Sequence, residues 1–396
     1  MQLADYSPES LLECYKKDLF EYYLPWLDNR VYDDKFGGFL CHIDRNGQTV
    51  TTHKRTWYDG RGVWVYTYLY RHLDPNPLYL ERAQRTIDFL LSMQMADYPY
   101  WPWGYNREGI PLEQEADIYG SLFVAEGLSG MALATDRADY WNKALNILVG
   151  CLTQYDDPAY QYVPHFNTGQ KLKAPRVLGH WMVMLNLASH LLEYKHHDVL
   201  VTIVDRCIDA LLHHHLQSDF NLMIEYLHHD LSKPNSPLDQ FAYLGHGIEV
   251  LWMIMDVAWK TNNPELWNQS TNLFKRHVEA AWDPVYGGFF HELTHVENHQ
   301  WLLDKVLWAQ EEVLVGLMML IEKDKDLWAM QWFSKVYPYV REKFILHDHP
   351  HKLWINGGDR KLDNHHQVDR FENYHHPRHL IKNILALQRI IRSSSR

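Results

Sequence analysis

Gly37-Gly38-Phe39-Leu40-Cys41-His42-Ile43-Asp44-Arg45-Asn46-Gly47, in one-letter code GGFLCHIDRNG, has a counterpart 250 residues further on in GGFFHELTHVEN, from Gly287. Both read as short aromatic hairpins, with glycine at the entry and a polar turn at the tip. Four other segments share that character: YWPWGYNREG from Tyr100, YQYVPHFNTG from Tyr160, NLMIEYLHHD from Asn221 and KLWINGGDRK from Lys352. Successive starts lie 60 to 66 residues apart. A fixed period of that length marks one supersecondary unit used repeatedly.

Between the hairpins the apolar pattern is helical. Arg61, Trp64, Val65 and Tyr68 fall at i, i+3, i+4 and i+7, and so do His246, Glu249, Val250 and Met253. Asp117 to Leu133 and Leu178 to Leu192 read the same way. Each period has room for two helices of about 12 to 18 residues. Six periods then give twelve helices, with strands too short and scattered for a main sheet. Closed into a ring, this is an all-α (α/α)6 barrel, with inner helices around a cavity and outer helices shielding them. No Ser/Gly linker, charge block or low-complexity run divides the chain, so residues 1–396 read as one domain. Only the tail, RIIRSSSR, reads as frayed.

Composition narrows the function. The formal charge of −12 argues against a nucleic-acid partner. Aromatic residues make up 14% of the chain, which fits a cavity that stacks on sugar rings and equally fits an aromatic core. Cys14, Cys41, Cys151 and Cys207 are scattered without a CxxC pair, so buried reduced thiols are expected. The start, MQLADYSPESLLECYKKDLF, lacks a basic region followed by an apolar one. No run reaches the roughly 18 apolar residues of a membrane span. The expected compartment is the cytoplasm, away from the membrane.

Chemically capable residues recur 10 to 16 positions after each hairpin: Arg61, Tyr119, His180, His246, Trp308 and His375. They should stand near the starts of the inner helices, at the hairpin end of the barrel. Pro377 suits the first turn of a helix, which puts His375 at its N-terminus. There the helix dipole favours a neutral imidazole, suited to act as a general base. Glu249 lies one turn after His246 on the same face, where a carboxylate would fix the tautomer of that histidine.

At these residues the chain resembles the N-acylglucosamine 2-epimerase family, which includes cellobiose 2-epimerases, mannose 2-epimerases and mannose isomerases. The resemblance runs from Tyr32 to about Ile391 and rests on four segments in order. KRTWYDGRGVWVYTYLY from Lys54 resembles the segment around the family's active-site arginine, here Arg61. GHGIEVLW from Gly245 resembles the segment with a catalytic histidine and nearby glutamate, here His246 and Glu249. KVLWAQEEV from Lys305 resembles a segment with paired tryptophans and a glutamate; Trp308 and Glu312 match, but Leu307 replaces the first tryptophan. YHHPR from Tyr374 resembles the segment of the second catalytic histidine, here His375. His180 stands about one turn before the histidine of many relatives, and a core role for it stays open.

The resemblance implies proton transfer at C2 of an aldose by His246 and His375 through an enediolate. Arg61 would stabilise the enediolate oxygen, and Tyr119, His180, Glu249, Trp308 and Glu312 would bind or support. It implies a small-molecule sugar substrate, no cofactor and no metal, and it leaves room for a homodimer. Some relatives are activated by a nucleotide; no GxxxxGK[ST] loop is present here, and nothing in the sequence establishes such activation. Aldose–ketose isomerisation is the alternative outcome, because it shares the first proton removal.

Three rivals come from the residues themselves. HELTH, from His291 to His295, matches the HExxH zinc motif, but that motif needs a helix and this segment reads as a strand. A helical-barrel glycosidase needs two carboxylates, for which Glu225, Glu249 and Glu312 are candidates. A sugar-binding protein without catalysis would explain the aromatics but not two histidines at helix starts. The runs His213-His214-His215 and His228-His229 read as surface clusters rather than metal sites.

Overall fold

The computed structural model describes the chain except residues 1, 95–99, 113–117, 163–171, 348, 350, 367–369 and 395–396. The hairpin from Tyr160 lies largely outside the described residues, as does Asp117. Contacts group the rest into two compact units. One comprises Met1–Val31, Ile43–Gln48 and Ala242–Arg396; the other comprises Tyr32–His42 and Thr49–Phe241.

Among the described residues, helices of 10 to 20 residues dominate. The second unit holds α2 (Thr56–His72), α3 (Pro77–Ser92), α4 (Ile118–Thr135), α5 (Ala138–Tyr155), α6 (Leu178–Tyr194) and α7 (Asp198–Asp209). The first unit holds α1 (Pro8–Lys17), α8 (Leu244–Lys260), α9 (Pro264–Ala281), α10 (Leu307–Asp324), α11 (Leu327–Lys343) and α12 (His375–Ser394). After α1 the chain continues helically, largely in π-type turns, to Val31.

Within the second unit α2, α4 and α6 pack in a row, each backed by the helix that follows it. Within the first unit α8, α10 and α12 form the matching row, backed by α9, α11 and α1. The inner helices are buried nearly all round; α4 is covered from Gly120 to Ala132. The outer ones keep a polar face: α9 opens with the Asn263 cap and Pro264, and buries Trp267, Phe274 and Val278 on one side. By length and mean hydropathy α4 alone among the described helices meets the measure of a membrane span, and 78% of that window is buried inside the protein. The part of the tail expected to fray is helical as far as Ser394, with Ile390 still buried; residues 395–396 lie outside the described residues.

The strands are two to four residues long and pair in antiparallel twos, as the sequence suggested. Three ladders tie an inner-helix start to the following hairpin. Lys54–Arg55 pairs with Gly104–Tyr105, Arg176–Val177 with Tyr226–Leu227, and Lys305–Val306 with Gly357–Gly358.

The two GGF hairpins share a buried clamp. The Asp33 amide donates to the Gly38 carbonyl and the Asp283 amide to Gly288, closing turns in which Gly37, Gly38, Gly287 and Gly288 all have φ between +73° and +79°. Each aspartate meets a fully buried lysine at 3.0 Å, Lys54 or Lys305, and an arginine at 2.8 Å, Arg107 or Arg360. Burial would raise the Asp33 carboxyl, but Arg107 and Lys54 overcome it and hold it at about 2. Asp283 is held low in the same way by Arg360 and Lys305. Phe39 N–H is taken at 2.8 Å by Asp59, and Phe289 N–H at 2.8 Å by Gln310. The clamps set the starts of α2 and α10 in register: Trp57 and Trp308 lie three residues past the clamp lysine, and Arg61 and Glu312 lie seven past it.

Candidate active site

The first unit brings together five of the residues singled out from the sequence. His246 stands in the first turn of α8, Trp308 in that of α10, and His375 opens α12. The Trp308 ring is close to both imidazoles, 5.9 Å from His246 and 5.2 Å from His375. Trp308 approaches α8 so closely that a Cβ on Gly245 would sit 2.3 Å from its ring, so only glycine fits there. The α12 start is capped by Glu372, whose Oε1 accepts the N–H groups of Tyr374 and His375 at 2.9 and 3.0 Å.

Behind His375 is a buried charge network. Its Nδ1 lies 2.8 Å from Glu312 Oε1. One terminal nitrogen of Arg378 donates to Glu312 Oε1 at 2.6 Å and to Glu249 Oε1. Its two hydrogens are thereby used, so the 3.2 Å approach of the same nitrogen to His375 Nδ1 is not a donation. Trp252 Nε1–H donates to the other Glu312 oxygen at 2.7 Å. Burial would raise the Glu312 carboxyl, but the Arg378 guanidinium and His375 outweigh it and hold it below the usual carboxylate range. Burial would likewise lower Arg378, yet Glu312 and Glu249 keep it well above its ordinary value. An ionised Glu312 needs a donor, so His375 carries its proton on Nδ1 and presents the Nε2 lone pair.

Glu249 departs from expectation: its hydrogen bond goes to Arg378, not to His246. The reason is the charge of Arg378, a residue that sequence reasoning passed over although it closes the YHHPR segment. Tyr243, 4.3 Å from His246 and 5.9 Å from Trp308, was also missed. His291, read from the sequence only as part of HELTH, lies 5.7 Å from Tyr243. The strand reading of HELTH holds: Glu292–His295 pairs with Gln300–Leu302. Histidines four residues apart on a strand are separated by roughly 13 Å, too far to share an ion.

In the second unit Arg61, Tyr119 and His180 come together. Arg61 donates to the Tyr119 hydroxyl at 2.9 Å and lies over the Phe123 ring at 4.1 Å. His180 is 1% exposed and ringed by Tyr162, Tyr155 and Tyr119 at 4.7, 5.4 and 6.2 Å. Glu225, a glycosidase candidate, is used structurally: its carboxylate accepts Gly179 N–H at 3.2 Å at the start of α6. His215 corrects the surface reading of its run. It is fully buried, its Nδ1 meets the Ile224 carbonyl at 2.8 Å, and burial lowers it to about 4.

Among the described residues two side-chain sets have metal-ligand spacing: Glu249–Glu312–His375 and Glu311–His376–His379. In the first, Arg378 already supplies the cation. In the second, the Glu311 carboxylate bonds His376 Nδ1 and lies 3.5 Å from His379 Nδ1. Burial would raise Glu311, but His376 and His379 keep it low, so it too is ionised near neutrality.

The model of the N-acylglucosamine 2-epimerase (GlcNAc 2-epimerase) family matches residues 37–377. The chain belongs to that family. It is an enzyme of the isomerase class. It is 23% identical over 334 residues to the N-acylglucosamine 2-epimerase of Bos taurus, covering 81% of this chain and 77% of that one. The solved cellobiose 2-epimerase of Bacillus thermoamylovorans superposes with a TM-score of 0.80 at 17% identity, covering 95% of this chain and 99% of the other. A D-mannose isomerase structure superposes with a TM-score of 0.77 at 15% identity, covering 97% and 98%. The fold is the (α/α)6 barrel expected from the repeat.

Proposed function

We propose that this family member is a sugar 2-epimerase that inverts C2 of an aldose by two-histidine proton transfer. The substrate class is mannose/glucose, N-acylglucosamine/N-acylmannosamine or a related disaccharide. The observation that carries the reading is that Trp308 lies beside both His246 and His375: an indole for a sugar face, with two imidazoles next to it. One histidine removes the C2 proton of the open-chain sugar and leaves an enediolate. The other delivers a proton to the opposite face. Glu312 supports His375 in the base role and stabilises the imidazolium that forms. Arg61 is assigned the enediolate oxygen by the family resemblance, where charge develops.

A second reading is aldose–ketose isomerisation. Both carboxylates gather behind His375 through Arg378, and one base on one face suffices for that reaction. Incubation of each sugar in D2O, followed by NMR, separates the two. Deuterium at C2 of the epimeric aldose is expected; a ketose labelled at C1 without epimer would assign the isomerase instead. H246A and H375A should each abolish turnover while leaving the thermal melt in place. Near-normal turnover in either variant overturns the two-histidine mechanism.

A further inference from the structure

The charge network behind His375 has a neighbour built on the same plan. Glu311 stands next to Glu312 on α10, and His376 and His379 follow His375 and Arg378 by one residue each on α12. Each set therefore joins a carboxylate of α10 to two residues three apart on α12, a spacing that puts both on one side of a helix. The two sets differ in charge. The first contains Arg378, a permanent cation. In the second a histidine takes that place, and the ion pairs of Glu311 among the described residues are with His376 and His379.

Glu311, His376 and His379 are at most 3% exposed. A carboxylate buried this deeply needs a compensating charge beside it. Glu311 meets His376 Nδ1 through Oε1, while its Oε2 is buried without a hydrogen-bonding partner in the protein. His379 Nδ1 lies 3.5 Å from Glu311 Oε1 and is also buried without a hydrogen bond. With a proton, that nitrogen is an unspent donor; without one, its lone pair sits beside a carboxylate oxygen. A cation held between the two relieves either case. On the far side of the ring, His379 Nε2 is 3.2 Å from the Tyr15 hydroxyl, which also accepts from Asn383 Nδ2 at 3.0 Å. A partner on the far nitrogen is what fixes the orientation of a metal-bound imidazole.

One ligand atom from each of the three residues lies within 4.8 Å of the other two. The ligands of a tetrahedral zinc ion stand about 3.3 Å apart. The 3.5 Å edge from Glu311 to His379 has that length already, and the hydrogen-bonded edge to His376 opens once its proton is displaced. Two imidazole nitrogens and both Glu311 oxygens make four donors, a nitrogen and oxygen set that zinc accepts.

We propose that Glu311, His376 and His379 hold one zinc ion, a structural site that fastens α10 to α12 beside the proton-transfer residues and takes no part in the reaction. Because its ligands are buried, the ion enters as the chain folds. Untagged enzyme produced in zinc-supplemented medium and purified without chelator should carry about one zinc per chain by elemental analysis. Enzyme unfolded in urea with a chelator, then refolded in Co2+ alone, should show the strong visible bands of four-coordinate cobalt. E311Q and H379Q should lose both signals, with circular dichroism confirming that they fold. H213Q, at an exposed histidine, should keep both. Zinc-free enzyme that also refolds without the cobalt bands overturns the proposal and leaves an imidazolium as the partner of Glu311. Signals kept in both E311Q and H379Q, or lost in H213Q, overturn it too, because the ion then sits elsewhere. If either variant fails to fold, the cobalt bands of the unaltered enzyme decide. None of these readouts uses turnover, so they stand apart from the fate of the epimerase reading.

Discussion

His375 owes its chemistry to where the charge behind it sits. The buried Arg378 guanidinium joins two carboxylates through one terminal nitrogen, both of whose hydrogens go to them, so Glu312 is left to orient the imidazole. E312Q keeps the shape but removes the charge that balances a protonated His375. Turnover should fall by about 100-fold or more at pH 7 with KM little changed, measured by steady-state kinetics. A fall below threefold would remove Glu312 from the mechanism. A second test uses the duplicated clamp. Asp59 and Gln310 do the same job, accepting a hairpin N–H, but burial pushes Asp59 up to about 7. A group raised from its unfolded value stabilises fully below pH 4, and that contribution is lost as pH rises to about 7. D59N imitates Gln310 and should gain on the parent across that window, by up to about 4 kcal/mol in urea denaturation. An unchanged difference between pH 4 and pH 8 would mean that Asp59 does not titrate there. At this scale the sequence placed His246 and His375 at the starts of helices, where they stand. Arg378 escaped because an arginine on an apolar helix gives no sign of which distant carboxylates it will meet.

The elements were legible where periodicity was strong. α2, α6 and α8 lie where apolar spacing put them, and His375 opens its helix as Pro377 required. His215 was misread because a run of three histidines looks polar, although a π-type turn at the end of α7 rotates the last of them into the core. The direction of Glu249 depended on tertiary contact, which helix spacing does not carry. Packing between elements also explains Gly245. A methyl there would push Trp308 off α8, although the helix itself would gain from alanine. G245A should therefore melt within a few degrees of the parent yet lose at least about tenfold in kcat/KM. Unchanged kinetics would show that the exact seat of the indole is unimportant.

On the scale of the whole molecule, each unit carries one histidine that burial lowers to about 4, His215 in one and His277 in the other. Between pH 6.5 and 4 the unfolded chain binds more protons at these sites than the folded one, so stability drops as pH falls through that window. The loss is about 3 kcal/mol for each histidine at most. It is best measured by urea denaturation in the D59N background, where the opposing slope of Asp59 is absent. A flat profile from pH 6.5 to 4.5 would contradict the burial of both imidazoles. The six-fold repeat was readable because each period ends in a recognisable hairpin. The grouping into two units was not, because no composition change marks it. That grouping has a consequence for synthesis. One unit is continuous apart from a short excursion, but the other is built from both ends of the chain, with α12 packed on α1. As the polypeptide leaves the ribosome, residues 49–241 can settle early, while α1 must wait for its partner until α12 has been made. His375 and Arg378 arrive on α12, so the candidate site is assembled only after that helix has been made.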